Sequence, residues 1–245
     1  MPLIHCKGID NPHWENGLTK PYKLCGAVHI WRLQLSASLP LLPRCLSVLN
    51  DAERSRTASY HHEKDKDRFI LSRGILRWLL SEYAMLAPEK IEMVTGENKK
   101  PFLQANGTAI HYNVAHSGNL VLIAIADAPV GIDVEYIDPA FGYTDILPAC
   151  FSNEEATLIQ NAEAPHYCFY TLWTRKEALL KATAKGIDDG MCSVPCIDGT
   201  HHVLPGIIGS EQDWAVNNFD AATGYMGCVA LSPSVMKIVF ADVVF

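Results

Sequence analysis

Short segments in which hydrophobic and polar residues alternate are spread along the chain, and they predict β-strands. Residues 27–35 alternate in this way, and the apolar run from Leu120 to Ala126 has the length of a buried strand. Ser117-Gly118-Asn119 supplies the turn between this run and a strand predicted at 110–115. Further strands are predicted at residues 92–95, 131–136, 191–197, 213–218 and 225–231.

Helices in the first half of the chain are predicted from a cap and from a proline. Asn50 or Asp51 can cap a helix that runs through Ser59. A longer helix is predicted from about residue 63 to 85, because Pro88 stops it. Gly74 lies inside this helix, where it costs about 1 kcal/mol relative to alanine.

The second half repeats this order of elements. Ser152 and Glu155 form a capping box that starts a short helix, and Pro165 opens a further helix that ends at Gly186. A strand, two helices and several strands therefore occur twice. This order predicts an α+β fold built as a pseudo-duplication.

Composition narrows the class of protein. The 245 residues are 49% hydrophobic and 19% charged, so the chain can bury a large core. No stretch of about 18 apolar residues is present, and residues 1–26 lack the apolar centre of a signal peptide, so we expect a cytoplasmic protein without a membrane span. The net charge of −7 argues against nucleic-acid binding. Eight scattered cysteines without a C-x-x-C pair favour reduced thiols over a zinc site.

Two segments bring carboxylates together. In Gly131-Ile132-Asp133-Val134-Glu135, the alternation predicts a strand on which Asp133 and Glu135 share one face. In a predicted helix, Trp173, Glu177 and Lys181 follow one another at four-residue spacing and share one stripe. If the strand and the helix pack together, three carboxylates and an ammonium converge. Oxygen ligands without His or Cys suit Mg²⁺, and the alternative for Glu177 and Lys181 is an ordinary surface ion pair.

These two segments resemble the signature pair of the 4'-phosphopantetheinyl transferases, and the chain is similar to their longer, two-halved Sfp-like type. Lys100-Pro101 matches the K-P of that family, and the block from Tyr112 to Ser117 matches its F-N-x-S-H-S block. The helix containing Asp67-Arg68 resembles the segment that precedes them. The resemblance covers roughly residues 50–187, and four blocks in the right order make it specific.

The resemblance implies a fold and an activity. It implies two similar halves, 1–128 and 129–245, each with a small, mostly antiparallel sheet packed on helices, and an active site between them. The N-terminal half would hold coenzyme A-binding elements and the C-terminal half the metal and catalytic groups. The implied reaction is Mg²⁺-dependent transfer of 4'-phosphopantetheine from coenzyme A to a serine of an acyl or peptidyl carrier protein, with Mn²⁺ as an alternative metal. Adenosine 3',5'-bisphosphate would be released, and a monomer is expected.

The resemblance also implies roles for individual residues. Glu177, Lys181 and His116 would be catalytic, and Asp133, Glu135 and Glu177 would bind the metal. Coenzyme A would contact Arg54, Arg56, Arg68, Lys100, His116, Ser117, Lys176 and Lys181. The carrier protein would dock near residues 138–151, whose aromatic side chains could instead cover the core.

Ala115 departs from the family pattern, in which serine is common, so one hydroxyl donor to the phosphate would be missing. Two alternative functions therefore stay open. The chain could be a coenzyme A-binding module with weakened catalysis. It could also be another Mg²⁺-dependent phosphoester enzyme that uses the same carboxylates.

Overall fold

The structure is a computed structural model that describes residues 1–20, 22–96, 100–105, 107–186 and 190–244. Its strands are β1 (Leu3–Ile9), β2 (Trp14–Glu15), β3 (Ala27–Gln34), β4 (Met93–Thr95), β5 (Pro101–Ala105), β6 (Thr108–Ser117), β7 (Leu120–Ala126), β8 (Val130–Tyr136), β9 (Gly199–His202), β10 (Trp214–Ala222), β11 (Tyr225–Leu231) and β12 (Lys237–Asp242). Its α-helices are α1 (Leu35–Ser38), α2 (Leu42–Ser47), α3 (Asp51–Thr57), α4 (Glu63–Ala84), α5 (Leu147–Cys150), α6 (Asn153–Asn161), α7 (Pro165–Thr183) and α8 (Pro205–Ile208). Short 3-10 helices lie at Leu39–Leu41, Pro88–Lys90, Tyr143–Ile146 and Met191–Ser193.

These strands form two mixed sheets. The seven-stranded sheet has the order β2-β12-β3-β7-β6-β5-β4, and the five-stranded sheet has the order β8-β11-β10-β1-β9. Most neighbouring strands are antiparallel, but β1 runs parallel to β10, and β12 runs parallel to β2 and β3. Each end of the chain therefore joins the sheet built mainly from the other half, and a division of the sheets at residue 128 does not hold for β1 and β12.

The two sheets pack face to face between two long helices. Side chains of β7 alternate strictly: Leu120, Leu122 and Ala124 lie in the core between the sheets, while Val121, Ile123 and Ile125 lie in the core beneath α4. On the far side, α7 packs its Ala178, Leu179 and Ala182 against the five-stranded sheet. The molecule is thus an α+β protein, as predicted. Each of its two sheets packs against one of the two long helices.

Two glycines allow close packing of helices. A Cβ on Gly74 would overlap Cys45, so the glycine inside α4 lets α2 approach, which accounts for its presence despite the cost to the helix. A Cβ on Gly131 would overlap the backbone of Ala178 and Ala182. Gly131 therefore lets α7 lie directly against β8.

Most predicted elements are confirmed, with one error. The strands at 120–126 and 225–231 have the predicted bounds, and those at 27–35, 92–95, 110–115, 131–136 and 213–218 are present with shifted ends. Asn50 and Ser152 cap their helices as predicted. The strand predicted at 191–197 is wrong, because Met191–Ser193 forms a 3-10 helix and Pro195 follows it. The strands β1, β2, β5, β9 and β12 were not predicted. The last predicted helix ends at Thr183, because Ala184 takes a left-handed conformation with φ 60°.

In the described part of the chain, no helix is long and apolar enough to cross a membrane. The eight cysteines are free thiols.

Candidate active site

The predicted carboxylates meet where α7 packs on β8. The strand pleat directs Asp133 and Glu135 toward α7, while Ile132 and Val134 lie between the sheets. Asp133 is only 3% exposed. Its Oδ1 accepts a hydrogen bond from the Lys181 ammonium at 2.6 Å, and its Oδ2 is buried without a partner among the described residues. Burial raises the pKa of Asp133, and the Lys181 charge opposes that rise.

Glu135 is held by the strand opposite. The Ser117 hydroxyl donates to Glu135 Oε2 at 2.8 Å and accepts from the Tyr136 N–H at 3.0 Å. Burial raises the pKa of Glu135, and the neighbouring Asp133 adds to this effect. The Ser117 hydroxyl therefore makes two hydrogen bonds within the protein, and its expected contact with coenzyme A stays a prediction.

Glu177 combines burial with like charge. It is 8% exposed, and no hydrogen bond to its carboxylate occurs in the described part of the chain. Burial and then the negative charges of Asp133 and Glu135 raise its pKa to about 7, against the effect of Lys181. A carboxyl group with such a pKa exchanges a proton near neutral pH, as a general base must.

The donor chemistry of this cluster suits a hard divalent cation. The charge of Asp133 raises the pKa of Glu135, and both of these carboxylates raise the pKa of Glu177. One oxygen of Asp133 is also buried and unpaired among the described residues, and a bound cation would relieve both effects. Among the described residues, however, no three His, Cys, Asp or Glu side chains lie close enough together to form a ready coordination shell. The residues therefore fit Mg²⁺ by type and charge, while their side chains would have to turn toward it.

A cationic pocket of about 390 Å³ opens beside this cluster, between α3, α4 and β6. Arg56, Arg68 and Arg73 contribute its guanidinium groups, and His116 adds an imidazole. Tyr60 and Phe69 form an aromatic pair with ring centroids 5.5 Å apart, and the Arg56 guanidinium lies 5.2 Å from the Phe69 ring. Such a pocket offers aromatic rings on which a nucleotide base can stack and guanidinium groups that can bind its phosphate.

Neighbouring residues of β6 link the pocket to the carboxylates. Because side chains alternate along a strand, His116 faces the pocket and Ser117 faces β8. His116 is exposed, and partial desolvation together with the positive charge of Arg68 lowers its pKa. His116 therefore lies within electrostatic reach of both the pocket and Lys181.

Three residues expected to bind coenzyme A are engaged elsewhere. The Arg54 guanidinium donates to the backbone carbonyls of Ser47 and Leu49 and does not line the pocket. Lys176 is fully buried, and its ammonium donates to Val194 O at 2.6 Å and pairs with Glu155 at 2.8 Å. This placement corrects the expectation that Lys176 reaches a phosphate.

Lys100 is the third of these residues. Its ammonium donates to Val130 O at 2.6 Å and to Ala182 O at 2.8 Å, and burial lowers its pKa to about 8. Lys100 therefore joins the first residue of β8 to the last turn of α7.

Two further expectations are changed by the structure. Ala115 lies in the core between the sheets, so a serine hydroxyl at this position would not face the cationic pocket. In the loop after β8, Phe141 is 42% exposed, but Tyr143 is buried and stacks on Phe169. Tyr143 therefore covers the core, whereas Phe141 is partly exposed and its contact with a carrier protein stays a prediction.

Sequence reasoning missed Arg73 and Asn113. Arg73 lines the pocket and donates to Glu53, which also accepts from the buried Arg77. The four-residue periodicity of α4 could have placed Arg73 on the face of Phe69 and Arg77. Asn113 accepts a hydrogen bond from the Ile132 N–H at 2.9 Å. No pattern in the sequence predicts this bond.

Known proteins align with both halves of the chain. The family model described as "4'-phosphopantetheinyl transferase, N-terminal" matches residues 37–128, and the model described as "4'-phosphopantetheinyl transferase superfamily" matches residues 129–225. The 4'-phosphopantetheinyl transferase HetI of Nostoc sp. is 31% identical over 169 residues, which cover 67% of this chain and 71% of HetI. The chain belongs to the 4'-phosphopantetheinyl transferase superfamily.

Two further relatives of the superfamily align at comparable identity. The 4'-phosphopantetheinyl transferase Sfp of Bacillus subtilis is 28% identical over 184 residues, or 66% of this chain and 81% of Sfp. The protein slr0495 of Synechocystis sp. is 34% identical over 159 residues, or 63% of this chain. The chain spans 65% of slr0495, slightly less than two thirds of its length. Membership of the family confirms the resemblance to the two-halved Sfp-like type.

Proposed function

We propose that this protein transfers 4'-phosphopantetheine from coenzyme A to a serine of an acyl or peptidyl carrier protein. The observation that carries this proposal is Glu177, a buried carboxyl with a pKa of about 7 beside the Asp133–Lys181 pair. This group lies next to a cationic pocket of nucleotide size. Family membership supplies the substrate class, because the aligned relatives HetI and Sfp are named for this transfer.

The cationic pocket would hold the adenosine end of coenzyme A. Tyr60 and Phe69 can stack on a base, and the guanidinium groups of Arg56 and Arg68 can bind the 3'-phosphate. With that end fixed, the pyrophosphate would extend past His116 toward Lys181 and the carboxylates.

Glu177 would act as the general base. It takes the proton from the carrier serine, whose oxygen then forms a bond to the β-phosphorus. The bond between that phosphorus and the bridging oxygen breaks, and adenosine 3',5'-bisphosphate leaves with the electron pair. Lys181 and His116 stabilise the negative charge on the phosphate oxygens. Asp133, Glu135 and Glu177 would hold Mg²⁺ or Mn²⁺, which supplies charge neutralisation at the pyrophosphate when bound.

The carrier protein would dock near residues 138–151, beside the carboxylates. Phe141 offers an exposed ring there, and Tyr136 is exposed at the end of β8. We further expect a monomer, because one chain provides both the pocket and the carboxylates. We also expect the protein to act in the cytoplasm.

Intact-mass analysis tests the transfer. An apo carrier protein is incubated with this protein, coenzyme A and Mg²⁺, with EDTA as the control. We expect a gain of one phosphopantetheine, which EDTA abolishes. Lys181→Met should remove most of this gain, whereas Lys90→Met, at an exposed lysine far along the chain, should not.

The other outcomes identify the alternatives. Coenzyme A binding without transfer to several unrelated carriers would indicate a binding module. Release of inorganic phosphate from simple esters would indicate a different phosphoester enzyme. The absence of both coenzyme A binding and transfer would overturn the proposed function.

A further inference from the structure

The strand that carries the carboxylates lies at the edge of its sheet. Among the described residues, β8 pairs with β11 on one side only, so the backbone groups on its other side have no strand partner there. Unpaired buried backbone groups are costly, and native proteins satisfy them with side chains or water. In this structure, side chains from the seven-stranded sheet fill that place.

Three side chains bind the free edge of β8. The Lys100 ammonium donates to Val130 O at 2.6 Å, the Ile132 N–H donates to Asn113 Oδ1 at 2.9 Å, and the Tyr136 N–H donates to Ser117 Oγ at 3.0 Å. We name Lys100, Asn113 and Ser117 the edge clamp. Its members come from the start of β5 and from β6, so they replace a neighbouring strand with three separate hydrogen bonds.

The positions of these bonds fix the register of β8. Along a strand, every second residue points its backbone groups to the same edge, and the clamp uses residues 130, 132 and 136. These positions lie on both sides of Asp133 and Glu135. A strand held at both ends cannot slide by two residues, so the carboxylates keep one position relative to β6 and its pocket residue His116.

Lys100 extends the clamp to α7. Its second hydrogen bond, at 2.8 Å, is to Ala182 O in the last turn of the helix. Carbonyls in that turn lack an intrahelical partner, and the helix dipole favours a cation there. Ala182 follows Lys181 directly, and Gly131 lets the two backbones approach at this point. One ammonium therefore joins the strand that carries Asp133 and Glu135 to the helix that carries Glu177 and Lys181.

We propose that the edge clamp is a positioning device that holds the β8 and α7 carboxylates in register with the nucleotide pocket, and that Lys100 acts there and not on coenzyme A. This inference rests on the proposed function, because it assigns the clamp to that reaction. Its members are positioning residues, since they act through the backbone of β8 and α7.

Steady-state kinetics separates positioning from coenzyme binding. For Lys100→Met and Asn113→Ala, we expect kcat to fall about 10- to 100-fold, because small displacements of reacting groups cost that much. The KM for coenzyme A should stay within about twofold, because the pocket is untouched. Lys100→Arg should recover part of kcat, since a guanidinium can donate to both carbonyls. Matched controls are Lys90→Met and Asn161→Ala at exposed positions.

A stability control excludes a general folding defect. Ile208→Ala removes a fully buried side chain at the end of α8, so it should lower the melting temperature while leaving kcat unchanged. If Lys100→Met fails to fold, Asn113→Ala and Lys100→Arg carry the test. A large rise in KM for coenzyme A with unchanged kcat would overturn the inference and return Lys100 to coenzyme binding. Unchanged kcat in all clamp variants would also overturn it.

The failure of the proposed function would be distinguishable. It would appear in the wild-type protein as absence of transfer. The clamp would then be measured by amide hydrogen exchange, in which Asn113→Ala should accelerate exchange at Ile132, and unchanged exchange would overturn the clamp itself.

Discussion

At the scale of single residues, the negative charge of Glu177 destabilises the folded protein. Its pKa is about 7 in the folded protein and near its ordinary value of 4.5 when unfolded. The folded state therefore binds more protons between these two values, and stability falls as the pH rises from about 4.5 through 7. Removing the ionisable group should remove this loss.

We predict opposite effects of Glu177→Gln on stability and on activity. At pH 8 the variant should unfold at a higher temperature than the wild type, by the equivalent of roughly 1–3 kcal/mol, and at pH 4.5 the difference should nearly vanish. Transfer should fall about 10²–10⁴-fold, because the base is lost. Calorimetry in EDTA and the carrier assay measure the two effects. Glu154→Gln, at an exposed position, is the control, and a variant that keeps most of its rate would contradict the base assignment.

The arginines near the pocket differ in their accessibility to a ligand. Arg68 lines the pocket and pairs with Asp65 at 2.8 Å, whereas Arg54 is bound to backbone carbonyls of α2 and the loop that follows it. Both arginines were expected to bind coenzyme A, because charge alone does not show where a guanidinium points.

We predict that Arg68→Met weakens coenzyme A binding about tenfold and that Arg54→Met leaves it within about twofold. A charged hydrogen bond to a phosphate contributes on the order of 1.5–3 kcal/mol, part of which the bond to Asp65 replaces in the free protein. Titration calorimetry with coenzyme A and with dephospho-coenzyme A checks this. If Arg68→Met weakens both ligands equally, Arg68 does not bind the 3'-phosphate.

At the scale of elements, the close contact of β8 and α7 sets the distances within the site. Gly131 makes that contact possible, since any Cβ there would overlap the backbone of Ala178 and Ala182. A larger residue must push the helix away from the strand, and Lys181 would then move away from Asp133.

Gly131→Ala should therefore reduce both stability and transfer. We expect a loss of about 1–3 kcal/mol, as for other overpacked sites, and a drop in kcat larger than that caused by an equally destabilising change elsewhere. Urea unfolding and the carrier assay measure these effects. Gly206→Ala is the matched control, because no atom of another element in the described part of the chain lies within 4 Å of its added Cβ. Equal behaviour of the two variants would show that the contact is not tight.

The elements that the sequence predicted are those with local signals. β7 is apolar throughout, α3 and α6 have caps, and the alternation in Gly131–Glu135 placed Asp133 and Glu135 on one face. β1 and β12 were missed because each is stabilised by pairing with residues more than 100 positions away. The false strand at 191–197 is an apolar segment whose carbonyls, those of Met191 and Val194, bind the buried Lys176.

The residues of the candidate site also differ in whether local sequence signals could predict their positions. Asp133, Glu177 and Lys181 could be found from spacing, because strand and helix periodicity determine which side chains share a face. The partners of Lys100 and Lys176 could not be found, because a lysine binds whichever carbonyls the tertiary fold brings within reach. Asn113 belonged to a recognised block, but its bond to β8 follows only from how the two sheets meet.

At the scale of the whole molecule, exchange of the chain ends makes the two halves depend on each other. β1 lies between β10 and β9 in one sheet, and β12 lies between β2 and β3 in the other. A fragment of residues 1–128 would lack β12, and a fragment of residues 129–245 would lack β1. Each would expose apolar side chains that lie between the sheets. In residues 1–128 these include Val28 and Ile30, and in residues 129–245 they include Phe240.

We therefore predict that neither fragment folds alone and that the two together do. Circular dichroism during urea titration should show no cooperative transition for 1–128 or 129–245 separately, and a cooperative transition for the mixture. A full-length protein cut at a protease site inserted at residue 128 is the control, because it keeps every strand and should stay folded. Cooperative unfolding of 129–245 by itself would show that β1 is dispensable, and the two halves would then be independent domains.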